Sequence, residues 1–178
     1  MTIRRPDPRG GGEVDPVRDP LASAVWIRPF RDEDAPAVRA IVARVLEEFD
    51  LALDPAGVDA DLADVEAEYR VAGGEFWVVE DGRSRIVGTC GLWIDPEHPE
   101  RAELRKMYLE PGLRGLGMGR RLLAGALDHA RRAGCRVVDL ETNREMKAAI
   151  ALYERHGFRR VGGETCDRCD VKLALDLE

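Results

Sequence analysis

The sequence predicts an α/β domain, in which a mixed, twisted sheet of about six to seven strands is flanked by about four helices. Two features carry that prediction. From Arg101 to Ala133 a strand-like run passes through a glycine-rich turn straight into an amphipathic helix. Around that unit the apolar spacing switches repeatedly between the two-residue period of a strand and the 3.6-residue period of a helix. The last run, Val171, Leu173, Leu175 and Leu177, alternates cleanly as a closing strand.

The chain has 178 residues, 44% of them hydrophobic, which is enough for one domain with a substantial core. Its 27 basic and 34 acidic residues leave a net charge of −7. A general nucleic-acid binder would show a basic face, so no nucleic-acid partner is expected. An acidic balance suits a cationic partner, although net charge bears first on solubility. No apolar run reaches the roughly 18 residues of a membrane helix, and the N-terminus lacks the apolar stretch of a signal peptide. A cytoplasmic protein with no membrane partner is the expectation.

Residues 1–24 carry Pro6, Pro8, Pro16, Pro20 and the run Gly10-Gly11-Gly12 without periodicity, and read as a flexible tail ahead of a domain over 25–178. Val25–Phe30 is a short strand. Asp32 or Asp34 caps the next helix, Pro36 suits its first turn, and Val38, Ile41, Val42, Val45, Leu46 and Phe49 share one face. Val58, Leu62, Val65 and Tyr69 mark a second helix. Glu75–Glu80 and Arg85–Ile94 are strands joined by an Asp81-Gly82 hairpin turn. The helix from Gly115 to about Ala133 buries Leu116, Leu123, Leu127 and Ala130. Val137, Val138 and Leu140 form a strand, Met146–His156 a short helix, and Phe158–Val161 another strand.

Four cysteines are present. Cys90 and Cys135 sit in apolar contexts and act as small hydrophobes. Cys166 and Cys169 have metal or redox spacing, but no second such pair or close histidine pair completes a zinc site, so a plain turn is expected and no metal.

The strand over 101–109 is chemically unusual. By the two-residue period Glu103, Arg105, Met107 and Leu109 share one face and Leu104, Lys106 and Tyr108 the other. Charges on a central strand must be paired or used. Glu103 and Arg105 can pair with each other, and a catalytic role for Glu103 is the alternative.

After that strand, Arg114, Gly115, Gly117 and Gly119 open the helix. Glycines leave backbone N–H groups exposed, and the helix dipole points into the same space, so the turn is an anion site suited to a pyrophosphate. Gly119 is followed by Arg120 and Arg121, not Lys-Ser/Thr, so it is no Walker loop. The spacing does not fit the dinucleotide fingerprint either. The pattern Arg114-x-x-Gly117-x-Gly119 resembles the acetyl-CoA loop of the GCN5-related N-acetyltransferases (GNAT family). Leu152-Tyr153-Glu154-Arg155-His156-Gly157-Phe158 is similar to that family's L-Y-E-x-x-G-F signature, in the right order and at the right distance.

The resemblance covers residues 25–177 and implies a sheet splayed between the strands at 101–109 and 136–142, with acetyl-CoA in the gap. Backbone of Met107, Tyr108 and Leu109 would pair with the pantetheine arm. The pyrophosphate would be held by Arg114, Gly115, Leu116, Gly117, Met118, Gly119 and Arg120. Tyr153 would be the general acid for the departing thiolate, although as a residue it also reads as a core aromatic on the Ala149/Ile150/Tyr153 stripe. Ala149 occupies the family's small-residue position. Many members carry an asparagine where this chain has Met146; Asn143, three residues earlier, is the candidate substitute. Glu103 would be the base for the incoming ammonium. The region between the first two strands would line the acceptor site, where Asp54, Asp59, Asp61 and Asp64 either meet a cationic amine or form a solvated helix face. The implied reaction is direct acetyl transfer to a small amine in a ternary complex, with no metal. A non-catalytic acyl-CoA sensor is the alternative, and pairing of a terminal strand edge across a homodimer is compatible with either.

Overall fold

The computed structural model describes residues 24–177. The tail expected over 1–24 therefore lies outside the described residues, except for Ala24. Seven strands form one sheet in the order β1-β2-β3-β4-β5-β7-β6. They are β1 (Val25–Pro29), β2 (Glu75–Asp81), β3 (Ile86–Ile94), β4 (Arg101–Leu109), β5 (Val137–Thr142), β6 (Arg159–Arg160) and β7 (Val171–Asp176). Every neighbouring pair is antiparallel except β4 and β5, which run parallel. Three α-helices, α1 (Ala35–Glu47), α2 (Met118–Arg132) and α3 (Lys147–Arg155), and one π-helical turn at Glu66–Arg70 cover the sheet. Among the described residues no helix is long and apolar enough to cross a membrane.

The alternation of β2 shows how the two faces divide. Phe76 and Val78 point into a cluster with Val38, Ile41, Val42, Val45 and Leu46 of α1. Val79 and Trp77 join the opposite cluster, built on Leu122, Leu123, Ala126, Leu127 and Ala130 of α2 with Ile150 and Tyr153 of α3. Full burial of each such aliphatic side chain stabilises by about 1.5–3 kcal/mol, an upper figure against a compact unfolded chain. The expected stripe of α1 is thus observed. Its start differs, because the Asp34 carboxylate caps no helix N–H. It accepts instead from Arg28 (2.7 and 2.8 Å) and from the Arg31 N–H (2.8 Å).

The second helix expected over Val58–Tyr69 does not form. A 3-10 turn at Ala60–Leu62 and the π-helical turn replace it. Packing gives the reason: Tyr69 is fully buried, and its ring lies over Gly91, where an added Cβ would sit 2.5 Å from the Tyr69 ring. The wide turn delivers the ring into that slot, and its hydroxyl donates to Asp61.

Candidate active site

The cleft begins where two strands part. β4 and β5 pair only through Arg101, Ala102 and Glu103, opposite Val137, Val138 and Asp139. Past Glu103, β4 has no partner strand on its β5 side among the described residues, so backbone from Leu104 to Leu109 is left for a ligand. β4 also carries a bulge, in which Lys106 and Met107 together oppose Cys90. Lys106 takes a positive φ of 51°, costly for a residue with a Cβ, and Thr89 Oγ1 donates to its carbonyl at 2.7 Å. One extra residue reverses the pleat. The shared face expected for Glu103, Arg105, Met107 and Leu109 is therefore wrong. Met107 and Leu109 turn to the α2/α3 side, whereas Tyr108 packs on the α1 side.

At one end of the cleft lies the glycine turn. Gly115 (φ 75°) and Gly117 (φ 83°) are left-handed, and an added Cβ at either would have no heavy atom nearer than 4.0 Å. These conformations delay the helix, which starts at Met118 and not at Gly115, and leave Leu116 76% exposed rather than buried as expected. No side chain caps the helix start, so the N–H groups of Met118, Gly119 and Arg120 stay available. At Gly119 an added Cβ would lie 3.3 Å from Leu152, 3.7 Å from Leu109 and 3.7 Å from Met107. Its missing side chain lets the first turn of α2 approach β4 and α3. Arg114 is not free: it donates to Leu109 O (2.9 Å) and forks onto both oxygens of Glu48 (2.6 and 2.9 Å).

Tyr153 lines the cleft beside Met107, Thr142, Asn143, Met146 and Ala149. It is also a core residue, 6% exposed and 5.7 Å from the Phe158 ring. Burial, with Cys90 and Tyr108 adding to it, pushes its pKa well above the ordinary phenol value. The hydroxyl is held protonated and makes no hydrogen bond among the described residues. Asn143 also lines the cleft, but its amide is engaged: Nδ2 donates to Arg168 O (3.1 Å) and Oδ1 accepts from the Glu145 N–H (2.9 Å).

The opposite end is built from charge. The part of the cleft lined by these charged groups and Tyr153 encloses about 520 Å³. Glu103 and Arg105 do pair, at 2.8 and 2.6 Å. Arg105 also reaches Glu68 (3.3 Å) and lies 4.3 Å above the Trp93 ring. Lys106 Nζ donates to Val58 O (2.8 Å) and sits 3.0 Å from Asp59 and 3.2 Å from Asp61. Arg168 donates to both oxygens of Asp59. Burial pushes the Asp59 carboxyl up, but bonds from Arg168 and the Asp54 N–H, with Lys106 beside it, outweigh that and hold it at about 2. Asp59 and Asp61 are therefore neither a solvated face nor open to solvent, with side chains 1% and 7% exposed. Asp54 and Asp64 bond local backbone N–H groups of Gly57 and Ala67.

Cys166 and Cys169 form the expected turn and, in addition, a disulfide. Glu141 brings a carboxylate oxygen within 4.8 Å of both sulfurs. That carboxylate already accepts from Lys172 (3.0 Å) and the Cys166 N–H (2.8 Å), and the sulfurs are bonded to each other. Sequence reading named Asp59 only as one of four acidic residues and missed its partners Lys106 and Arg168. The one available signal was a lysine in the middle of a central strand, which requires a partner without naming it.

Comparison with known proteins agrees with this geometry. Residues 40–158 match the acetyltransferase (GNAT) family. YjgM, an uncharacterized N-acetyltransferase of Escherichia coli K12, is 34% identical over 152 residues, covering 82% of this chain and 90% of YjgM. A mycothiol acetyltransferase of Sanguibacter keddieii is 35% identical over 150 residues, 79% of this chain but 45% of that protein. In fold, a GNAT-family acetyltransferase from Staphylococcus aureus Mu50 superposes with a TM-score of 0.79 at 23% identity, over 87% of this chain and 100% of the other. YncA of Salmonella typhimurium, solved with its cofactor acetyl-CoA, gives 0.67 at 25% identity over 87% and 95%. A splayed β4/β5 pair, an uncapped glycine turn at a helix start and a family match spanning both lead to one conclusion: the chain belongs to the GNAT family of acyl-CoA-dependent N-acetyltransferases.

Proposed function

We propose that the protein transfers the acetyl group of acetyl-CoA to a primary amine of a small, cationic acceptor. The observation that carries the reading is the buried Tyr153 on the cleft wall where β4 and β5 part. In this reading the pantetheine arm lies along the unpaired edge of Met107, Tyr108 and Leu109. The glycine turn and the start of α2 receive the pyrophosphate, with Arg120 beside them. The acceptor nitrogen attacks the thioester carbonyl, a C–N bond forms, and the C–S bond breaks. Tyr153 gives its proton to the departing sulfur, and the acceptor's surplus proton leaves through Glu103, directly or through water. The enzyme's contribution is orientation and charge placement, with no covalent intermediate.

Spare hydrogen-bonding capacity supports a cationic acceptor. Arg105, Lys106 and Arg168 are all spent on carboxylates and carbonyls. Asp61 Oδ1 is buried without a hydrogen bond among the described residues, although Lys106 Nζ lies 3.2 Å away. Glu68 and Glu103 each use one oxygen on Arg105 and keep the other. The capacity left over accepts protons, which an ammonium supplies and a carboxylate does not.

Calorimetric titration with acetyl-CoA, followed by thiol release against a panel of amines, tests this. One-to-one binding and faster turnover on diamines than on amino acids are expected. Absence of acetyl-CoA binding overturns the reading.

A further inference from the structure

The two loops flanking the acceptor end come from distant parts of the chain, and one side chain joins them. Residues 166–169 form a turn closed by the Cys166–Cys169 disulfide and by the Cys169 N–H donating to Cys166 O (2.8 Å). The turn is fastened to the end of β5. Glu141 accepts the Cys166 N–H (2.8 Å), Asn143 Nδ2 donates to Arg168 O (3.1 Å), and the Asp170 N–H donates to Thr142 O (3.1 Å). From this fixed base Arg168 reaches the 51–61 segment. It donates to Asp59 Oδ2 and Oδ1 (2.5 and 2.6 Å) and to Ala52 O (3.2 Å).

Asp59 organises its own segment in turn. Its Oδ2 accepts the Asp54 N–H (2.9 Å), and its Oδ1 lies 3.0 Å from Lys106 Nζ on the β4 bulge. Leu51, Gly57, Val58, Ala60 and Asp61 line the cleft on this side, and Cys166, Arg168 and Cys169 line it on the other. A forked guanidinium–carboxylate pair constrains direction as well as distance, which a single-point ammonium does not. Arg168 is only 16% exposed and Asp59 1%, so water competes little for the pair.

We propose that Arg168 is a positioning residue that closes the acceptor chamber: by holding Asp59 it sets the 51–61 segment and restricts the acceptor to free small amines over lysines presented on a peptide. The substrate half of this inference rests on the acetyl-transfer reading; the loop-holding half does not.

Full-length wild type, Arg168→Ala and Arg168→Lys decide it. Amide hydrogen exchange over residues 54–62 in the unliganded protein is expected to speed up about tenfold or more in Arg168→Ala and by less in Arg168→Lys. The ratio of kcat/KM for 1,3-diaminopropane to that for a lysine-containing decapeptide is expected to fall about tenfold in Arg168→Ala. The acetyl-CoA Kd should move less than twofold. Unchanged exchange overturns the loop-holding role. Faster exchange with an unmoved ratio overturns the selectivity. A parallel rise in the acetyl-CoA Kd shows general loosening and overturns the assignment to the acceptor end. Failure of the wild type to bind acetyl-CoA would instead defeat the acetyl-transfer reading, while the exchange result would still decide what Arg168 holds.

Discussion

The two ends of the cleft are built from different materials. The glycine end is backbone: two left-handed glycines, an uncapped helix start and an unpaired strand edge. The charged end is side chain, with Asp59, Asp61, Lys106 and Arg168 packed into one ion-paired group that has little contact with water. A backbone site fits any ligand with the right phosphate geometry and changes little with neighbouring sequence. A buried ion network depends on every member, because removing one leaves another charged and unpaired. If the proposed function holds, cosubstrate recognition and acceptor recognition are thus separable, and mutations at the two ends should fail differently.

The sharpest test of that separation is Gly117→Val. A β-branched residue at φ 83° is strained and covers the N–H groups of the turn. Calorimetry should show acetyl-CoA binding weakened at least about a hundredfold, with the circular dichroism of the native fold retained. Tyr153→Phe keeps the ring in its core contacts and removes the proton. Its kcat should fall by about a hundredfold, the low end for general acid catalysis, with the acetyl-CoA Kd nearly unchanged. Unaltered turnover would leave Tyr153 a core aromatic only.

At the charged end, Asp59→Asn should destabilise by about 3 kcal/mol in denaturant unfolding, since Lys106 and Arg168 lose their shared carboxylate. Asp59 is held at about 2 against an ordinary 3.8. Its contribution is therefore complete above pH 3.8 and is lost as the pH falls toward 2. Acid titration of stability should lose that segment in the variant, and an unchanged curve would contradict the assignment. The smallest effect is the most diagnostic of chemistry. Glu103→Gln should lower kcat/KM without moving acetyl-CoA affinity; unchanged turnover would make Glu103 a partner of Arg105 alone.

Much of the glycine end was legible in the chain because its signals are local. Left-handed turns need glycine within a few residues, and Tyr153 stands in a contiguous stretch, Leu152–Phe158, that resembles the GNAT signature. Boundaries were less legible. Nothing in the composition of 115–118 says that two positive φ angles push Leu116 out to solvent, and the bulge at Lys106 inverts the pleat from one residue onward. The Val58–Tyr69 segment was misread as a helix because its periodicity matched one. The wide turn that forms instead is decided by a slot over Gly91 and by Lys106 taking the Val58 carbonyl, both contributed by strands far along the chain.

What the sequence determined by itself was most of the alternation of elements and the glycine turn ahead of α2, since each depends on contacts within a single helix, strand or turn. What only the tertiary structure decided was the charged end. Asp59 meets Arg168 across 109 positions and Lys106 on the bulge of β4. Pairings of that kind arise because burial forces charges to find partners, and which partner is nearest is a property of the folded sheet.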